Sequence, residues 1–129
     1  MTRQPGTVRI RRVYEDPSDD DGVRLLVDRL WPRGLAKTRA RLDEWPKALT
    51  PSTELRRWYH GPDGEFGEFR RRYEQELAEP PAADALRKLR AVVADRPVTL
   101  LTASRDVDTS HAEVLREILT DPDPDAPAG

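Results

Sequence analysis

The run LVDRLWPRGLAK, residues Leu26 to Lys37, changes character at a single point. From Val23 through Leu25, Leu26 and Val27 to Leu30 the chain is apolar and strand-like, and it then becomes Trp31-Pro32-Arg33-Gly34, a rigid turn that carries a cation. A strand that stops this abruptly points to an α/β protein, in which ligands bind beyond the carboxyl ends of the strands.

The rest of the pattern agrees with that class. Alternation at Val8, Ile10, Arg12 and Tyr14 predicts a strand near 8–14, placed toward a sheet edge so that Arg9 and Arg11 can leave the core. Further strands are expected near 23–30 and 98–103, the last being the apolar run VTLLTAS that follows Pro97. The acidic loop Glu15 to Gly22 is shorter than the dozen or so residues of a usual parallel crossover, which leaves a hairpin between the first two strands open.

Helices are expected near 52–59, 65–78, 82–94 and 110–119. The first is announced by Thr50 as a hydroxyl cap with Pro51 at the first helical position. In the second, Phe66, Phe69, Tyr73 and Leu77 form one apolar stripe, with Glu68–Arg72, Arg70–Glu74 and Arg72–Glu76 as i,i+4 pairs on the wet side. The expected architecture is α/β: a small, mainly parallel sheet with helices packed around it in one compact domain over 8–119. It is preceded by a flexible 1–7 and followed by a disordered acidic, Pro-rich tail at 120–129.

Composition narrows the function. With 129 residues the chain has room for one hydrophobic core. Its 22 basic and 24 acidic residues nearly balance, so no global positive field advertises nucleic acid or membrane. There is no cysteine, which removes thiol nucleophiles, disulfides and Cys-based zinc sites together. No apolar run suggests a signal peptide or a membrane span, and the expected location is the cytoplasm. Neither GxGxxG nor GxxxxGK[ST] occurs, Asp19-Asp20-Asp21 lacks calcium-loop spacing, and no metal site or particular cofactor is indicated.

Taken together, VYEDPSDDDGVRLLVDRLWPRGLAKTRARLDEWPKALTPSTELRRWYHG and VTLLTASRDVDTSHAEVL resemble the YeaO-like group of uncharacterised bacterial proteins within the domain-of-unknown-function 488 family, over roughly residues 8–119. The resemblance implies a small cytoplasmic α/β domain and brings no established reaction with it. More distant relatives carry a cysteine at the strand end and a Cys-His dipeptide at the helix start. Thr102 and Ser110-His111 hold those places here, so thiol chemistry does not carry over, while the histidine does.

The residues nearest the strand ends supply the candidates. Arg29 and Arg33 flank Trp31-Pro32 and, with Lys37, suit a phosphate or carboxylate attached to a planar ring. Ser104 and Arg105 would join them from the loop after the last strand. His111 in a first helical turn is the candidate base, with Asp28 or Asp106 to orient it. Ser110 and Glu113 fit a capping box, and His60 fits a helix C-terminal cation. The plainer alternative buries Trp31 in the core and pairs Arg29 with Asp28 or Asp43.

The favoured reading is a small anionic or nucleotide-like ligand, bound or acted on where Arg33, Arg105 and His111 converge. The alternative is a nucleic-acid or protein-interaction module using the basic segment 29–41, and a third is a scaffold whose motif residues form one buried ion-pair network. Oligomeric state is left open.

Overall fold

The computed structural model describes residues 4–120. Three strands, β1 (Val8–Arg12), β2 (Val23–Leu26) and β3 (Val98–Thr102), form one sheet in the order β1-β3-β2, and both outer strands run parallel to β3. Every residue of β3 is buried, as its unbroken apolar run and central position require. Between β2 and β3 come α1 (Lys37–Ala40), α2 (Thr53–Tyr59), α3 (Phe66–Leu77) and α4 (Ala82–Asp95), and α5 (His111–Thr120) follows β3. This is the expected α/β class, a small parallel sheet with helices in one domain.

The two sheet faces are covered differently. Val8, Val23, Leu25, Val98 and Leu100 point to one face, where Leu55 of α2, Phe69, Tyr73 and Leu77 of α3, Leu89 and Val93 of α4, and Val114 and Leu115 of α5 complete the main core. The opposite face has a second, smaller cluster: Val13, Leu26 and Leu101, roofed by Trp31, Leu35, Leu42 and Trp45 from irregular chain. Apart from the short α1, segments 13–22 and 29–46 lie there as loops.

No hairpin forms. The first two strands are parallel and separated by β3, so the chain from Val13 to Gly22 must recross the sheet as a loop. What holds this loop is Asp21, 1% exposed. Its carboxylate meets Arg9, Arg24 and, at 3.2 Å, Arg11, and it also accepts the Ser18 N–H at 2.9 Å. Its carbonyl accepts the Thr99 hydroxyl at 2.7 Å. Arg9 and Arg11 therefore do not run to solvent as expected; they pair with this loop, Arg9 taking Asp20 as well. Gly22 then turns at φ +67°, where a Cβ would stand 2.1 Å from the Pro97 carbonyl oxygen.

Several local expectations are corrected. The second strand ends at Leu26 rather than residue 30, and Leu30 is 65% exposed, because Asp28 turns toward β3 and Arg29-Leu30 leave the sheet. The first strand likewise stops at Arg12, although Val13 still donates to the Thr102 carbonyl. Helix α2 is capped by Ser52, which accepts from the Leu55 N–H, while Thr50 instead donates to the Lys47 carbonyl. Glu76 does not pair with Arg72; it accepts from the Ser52 N–H and hydroxyl and so fixes that cap. Of the segments expected to be mobile, Gly6 and Thr7 hydrogen-bond to Val93 and Val98, whereas 1–3 and 121–129 lie outside the described residues.

Burial alone would raise the Asp21 pKa, but the Ser18 N–H and the three guanidinium groups override it and hold the carboxyl at about 2. Since this lies below the ordinary 3.8, the stabilisation is complete above roughly pH 4 and is lost as the pH falls through about 2. It amounts to about 2 kcal/mol. Asp21→Asn should cost about 3–5 kcal/mol at pH 7, since it leaves the buried Arg24 without its counter-charge. Its denaturation midpoint should also change less than that of the parent between pH 4 and pH 2, as measured by urea titration at both values.

Candidate functional site

Because β2 and β3 are parallel neighbours, the loops that follow them open on the same edge of the sheet. Val27 makes the last backbone bond to β3, donating to the Leu101 carbonyl at 3.1 Å. The next residue, Asp28, bridges to the end of β3: one carboxylate oxygen lies 2.7 Å from the Thr102 hydroxyl, and the other accepts the Ala103 N–H at 2.8 Å. The first residue of α5 completes the group, with His111 Nε2 3.0 Å from Asp28 Oδ1. Both side chains are about 15% exposed, and the Tyr73 ring stands edge-on to the imidazole at 6.4 Å.

Burial pushes the Asp28 pKa up, but the His111 contact and the bonds from Ala103 and Thr102 outweigh it and leave the carboxyl below its ordinary value. Across this contact Nε2 of His111 donates to the ionised Asp28 carboxylate. Among the described residues Nδ1 makes no hydrogen bond. Thr102 has one proton, which goes to Asp28, and its oxygen accepts from the Ser104 N–H at 3.1 Å.

Above this pair opens a cleft of about 560 Å³. Its lining includes Asp28, Arg29, Trp31, Ser104, Arg105, Asp106 and His111, so seven of the nine residues proposed from sequence come together. Arg29 and Arg105 are exposed, and neither has a carboxylate within salt-bridge distance among the described residues. The pairing of Arg29 with Asp28 or Asp43 does not occur, because His111 holds the first and the Arg24 N–H the second. Trp31 is half-buried rather than part of the main core, packing edge-on to Trp45 at 5.5 Å and donating to the Leu35 carbonyl.

Arg33 and Lys37 are not in the cleft wall. The Arg33 carbonyl accepts the Tyr14 hydroxyl at 3.0 Å, and Lys37 starts α1 over the other sheet face. The expected meeting of Arg33, Arg105 and His111 is therefore corrected: Arg29 and Arg56 stand with Arg105 instead. Reading the sequence missed Arg56, yet Arg56, Tyr59 and His60 sit at i, i+3 and i+4 on α2 and line the cleft together, a stripe overshadowed by the apolar residues of the same helix. His60 does sit at the α2 C-terminus and also lines the cleft.

The capping box at α5 gives way to other partners. The Ser110 hydroxyl donates to the Val107 carbonyl at 2.7 Å, and the Glu113 carboxylate is held by Arg116. Asp19, Asp20 and Asp21 contribute to no metal-binding group of three or more side chains among the described residues.

A sequence model for DUF488-N3i, described as the inactive DUF488-N3 subclade, matches residues 7–125. The chain belongs to this DUF488 family. It is 49% identical over 114 residues to an uncharacterised protein of Mycobacterium tuberculosis H37Rv, covering 87% of this chain and 92% of that relative. It is 42% identical over 112 residues to the uncharacterised protein YeaO of Escherichia coli K12, covering 87% and 96% respectively. The resemblance to the YeaO-like DUF488 group is thereby established. No solved structure matches the chain.

Thr102→Val keeps the shape of this buried position and removes its hydroxyl from Asp28. The variant should lose about 1 kcal/mol in chemical denaturation. NMR titration should show the Asp28 carboxyl shifted upward, toward its ordinary value.

Proposed function

We propose that this DUF488 protein binds a small anionic ligand, one bearing phosphate or carboxylate on a planar ring, at the carboxyl ends of β2 and β3. The observation that carries the reading is the convergence of Arg29, Arg56 and Arg105, none with a carboxylate partner among the described residues, on one cleft. Guanidinium groups left unpaired in a concavity repel one another, an arrangement that an anion relieves with bidentate hydrogen bonds. Trp31 and Tyr59 supply aromatic wall, and Tyr59 is held rigidly by its 2.6 Å bond to the Thr109 carbonyl and by stacking on Phe69 at 4.3 Å. A volume of about 560 Å³ falls in the range of small-molecule sites.

Binding, rather than thiol-based turnover, suits the family description as an inactive subclade, and Thr102 and Ser110 stand where distant relatives carry cysteine. No helix among the described residues is long and apolar enough to cross a membrane. The protein is read as cytoplasmic and its ligand as freely diffusing.

Calorimetric titration with inorganic phosphate, nucleoside monophosphates and short organic acids tests this. A ligand at a hundred times its Kd should add about 2.7 kcal/mol of apparent stability. Arg56→Ala and Arg105→Ala should each weaken binding while changing stability by less than about 1 kcal/mol. Arg33→Ala, outside the cleft wall, should leave affinity unchanged. Absence of binding by every anion, together with tight binding of a single-stranded oligonucleotide that Arg33→Ala and Lys37→Ala weaken, would replace this reading by a nucleic-acid module on the 29–41 segment.

A further inference from the structure

We propose that His111 is a phosphoryl acceptor, its Nδ1 taking the phosphoryl group of a small donor held among the cleft arginines. The proposal rests on the anion-binding reading above and adds a reaction to it. Three observations lead there. The imidazole lines the cleft, and its Nε2 is committed to Asp28 at 3.0 Å, so the nitrogen left for a ligand is Nδ1. Asp28 is itself fixed by the Thr102 hydroxyl and the Ala103 N–H, which makes the pair a rigid, oriented unit. Arg29, Arg56 and Arg105 face the same space, as neutralising the oxygens of a transferring phosphoryl group requires.

The step balances without metal or redox partner. The Nδ1 lone pair attacks phosphorus, the bond from phosphorus to the leaving group breaks, and the leaving group departs with that electron pair. The ring keeps its Nε2 proton, and the positive charge that the ring acquires lies against the Asp28 carboxylate. With phosphoramidate, whose nitrogen already carries its protons, the products are neutral ammonia and an Nδ1-phosphorylated His111. Asp28 acts as a positioning residue that also balances this charge.

The molecule carries its own control. Its other histidine, His60, lines the same cleft but is exposed, and its imidazole has no carboxylate partner among the described residues. The full-length protein is incubated with phosphoramidate, and the modified residue is assigned by intact mass, peptide mapping at alkaline pH and ³¹P NMR, in buffer and in urea. The expected result is a single phosphoryl group on His111 Nδ1, added with saturation and about tenfold or more faster in the native than in the unfolded chain. His111→Gln should abolish it and His60→Gln preserve it.

Arg105→Ala should slow the transfer about a hundredfold. Asp28→Asn should lower the saturating rate while leaving half-saturation unchanged, a split that a purely structural role would not produce. Modification chiefly at His60, the Nε2 isomer at His111, or equal rates in buffer and urea would overturn the proposal. Phosphate that binds in calorimetry with no transfer from phosphoramidate to His111 overturns this step alone, whereas failure of every anion to bind overturns both readings.

Discussion

The buried contact between Asp21 and Arg24 is what permits this chain to build a parallel sheet without a helix between its first two strands. A chain running back across a sheet face as irregular backbone exposes polar groups to a surface that offers them few partners. Here that face is made polar where the loop crosses it: Arg9 and Arg11 come from β1, Thr99 from β3 and Arg24 from β2, and all meet Asp21. Arg24 has a second task, since its guanidinium also donates to the Ala40 and Arg41 carbonyls. One buried side chain thus ties both irregular coverings, segments 13–22 and 29–46, to the same strand. Removing Asp21 would leave a buried cation inside this joint, a far greater cost than losing a surface pair.

This division of faces decides where the site is. With α2 to α5 on one side of the sheet and loops on the other, the cleft opens at the carboxyl end of the sheet, where β2 and β3 both end. Asp28 is the hinge of the arrangement. By turning to Thr102 and Ala103 it ends β2, frees Arg29 and Leu30 from the sheet and anchors the imidazole at the start of α5. A strand running on to Leu30 would have filled the space that the cleft now occupies.

What could be read from the sequence was whatever depended on local pattern. The stripe of Phe66, Phe69, Tyr73 and Leu77 identified α3 and its buried face, and the change of character near Trp31-Pro32 located the site edge. Asp28, Arg29, Trp31, Ser104, Arg105, Asp106 and His111 were legible because strand ends and helix starts are signalled within a few residues. The rest depended on long-range partners. Whether a hydroxyl caps a helix was settled by Glu76, 24 residues away in α3, which holds Ser52 rather than Thr50. The arginines of β1 look like a solvated edge until Asp21 is seen folded onto them. Arg33 turned away because the Trp31 indole closes the turn onto Leu35, a direction that spacing alone does not encode.

The charges of the molecule divide into two populations that its near-zero net charge conceals. Arg9, Arg11 and Arg24 are matched by acidic groups and serve stability, while Arg29, Arg56 and Arg105 line one cleft with no carboxylate partner among the described residues. Replacing a cleft arginine should therefore remove function at little cost to folding. Asp28 belongs to both populations: it accepts the Ala103 N–H and the Thr102 hydroxyl as a structural anion while presenting His111 to the cleft. By holding the imidazole through Nε2 at the end of two strands, Asp28 ties the cleft wall to the sheet, so the rigidity of the core becomes the orientation of the site.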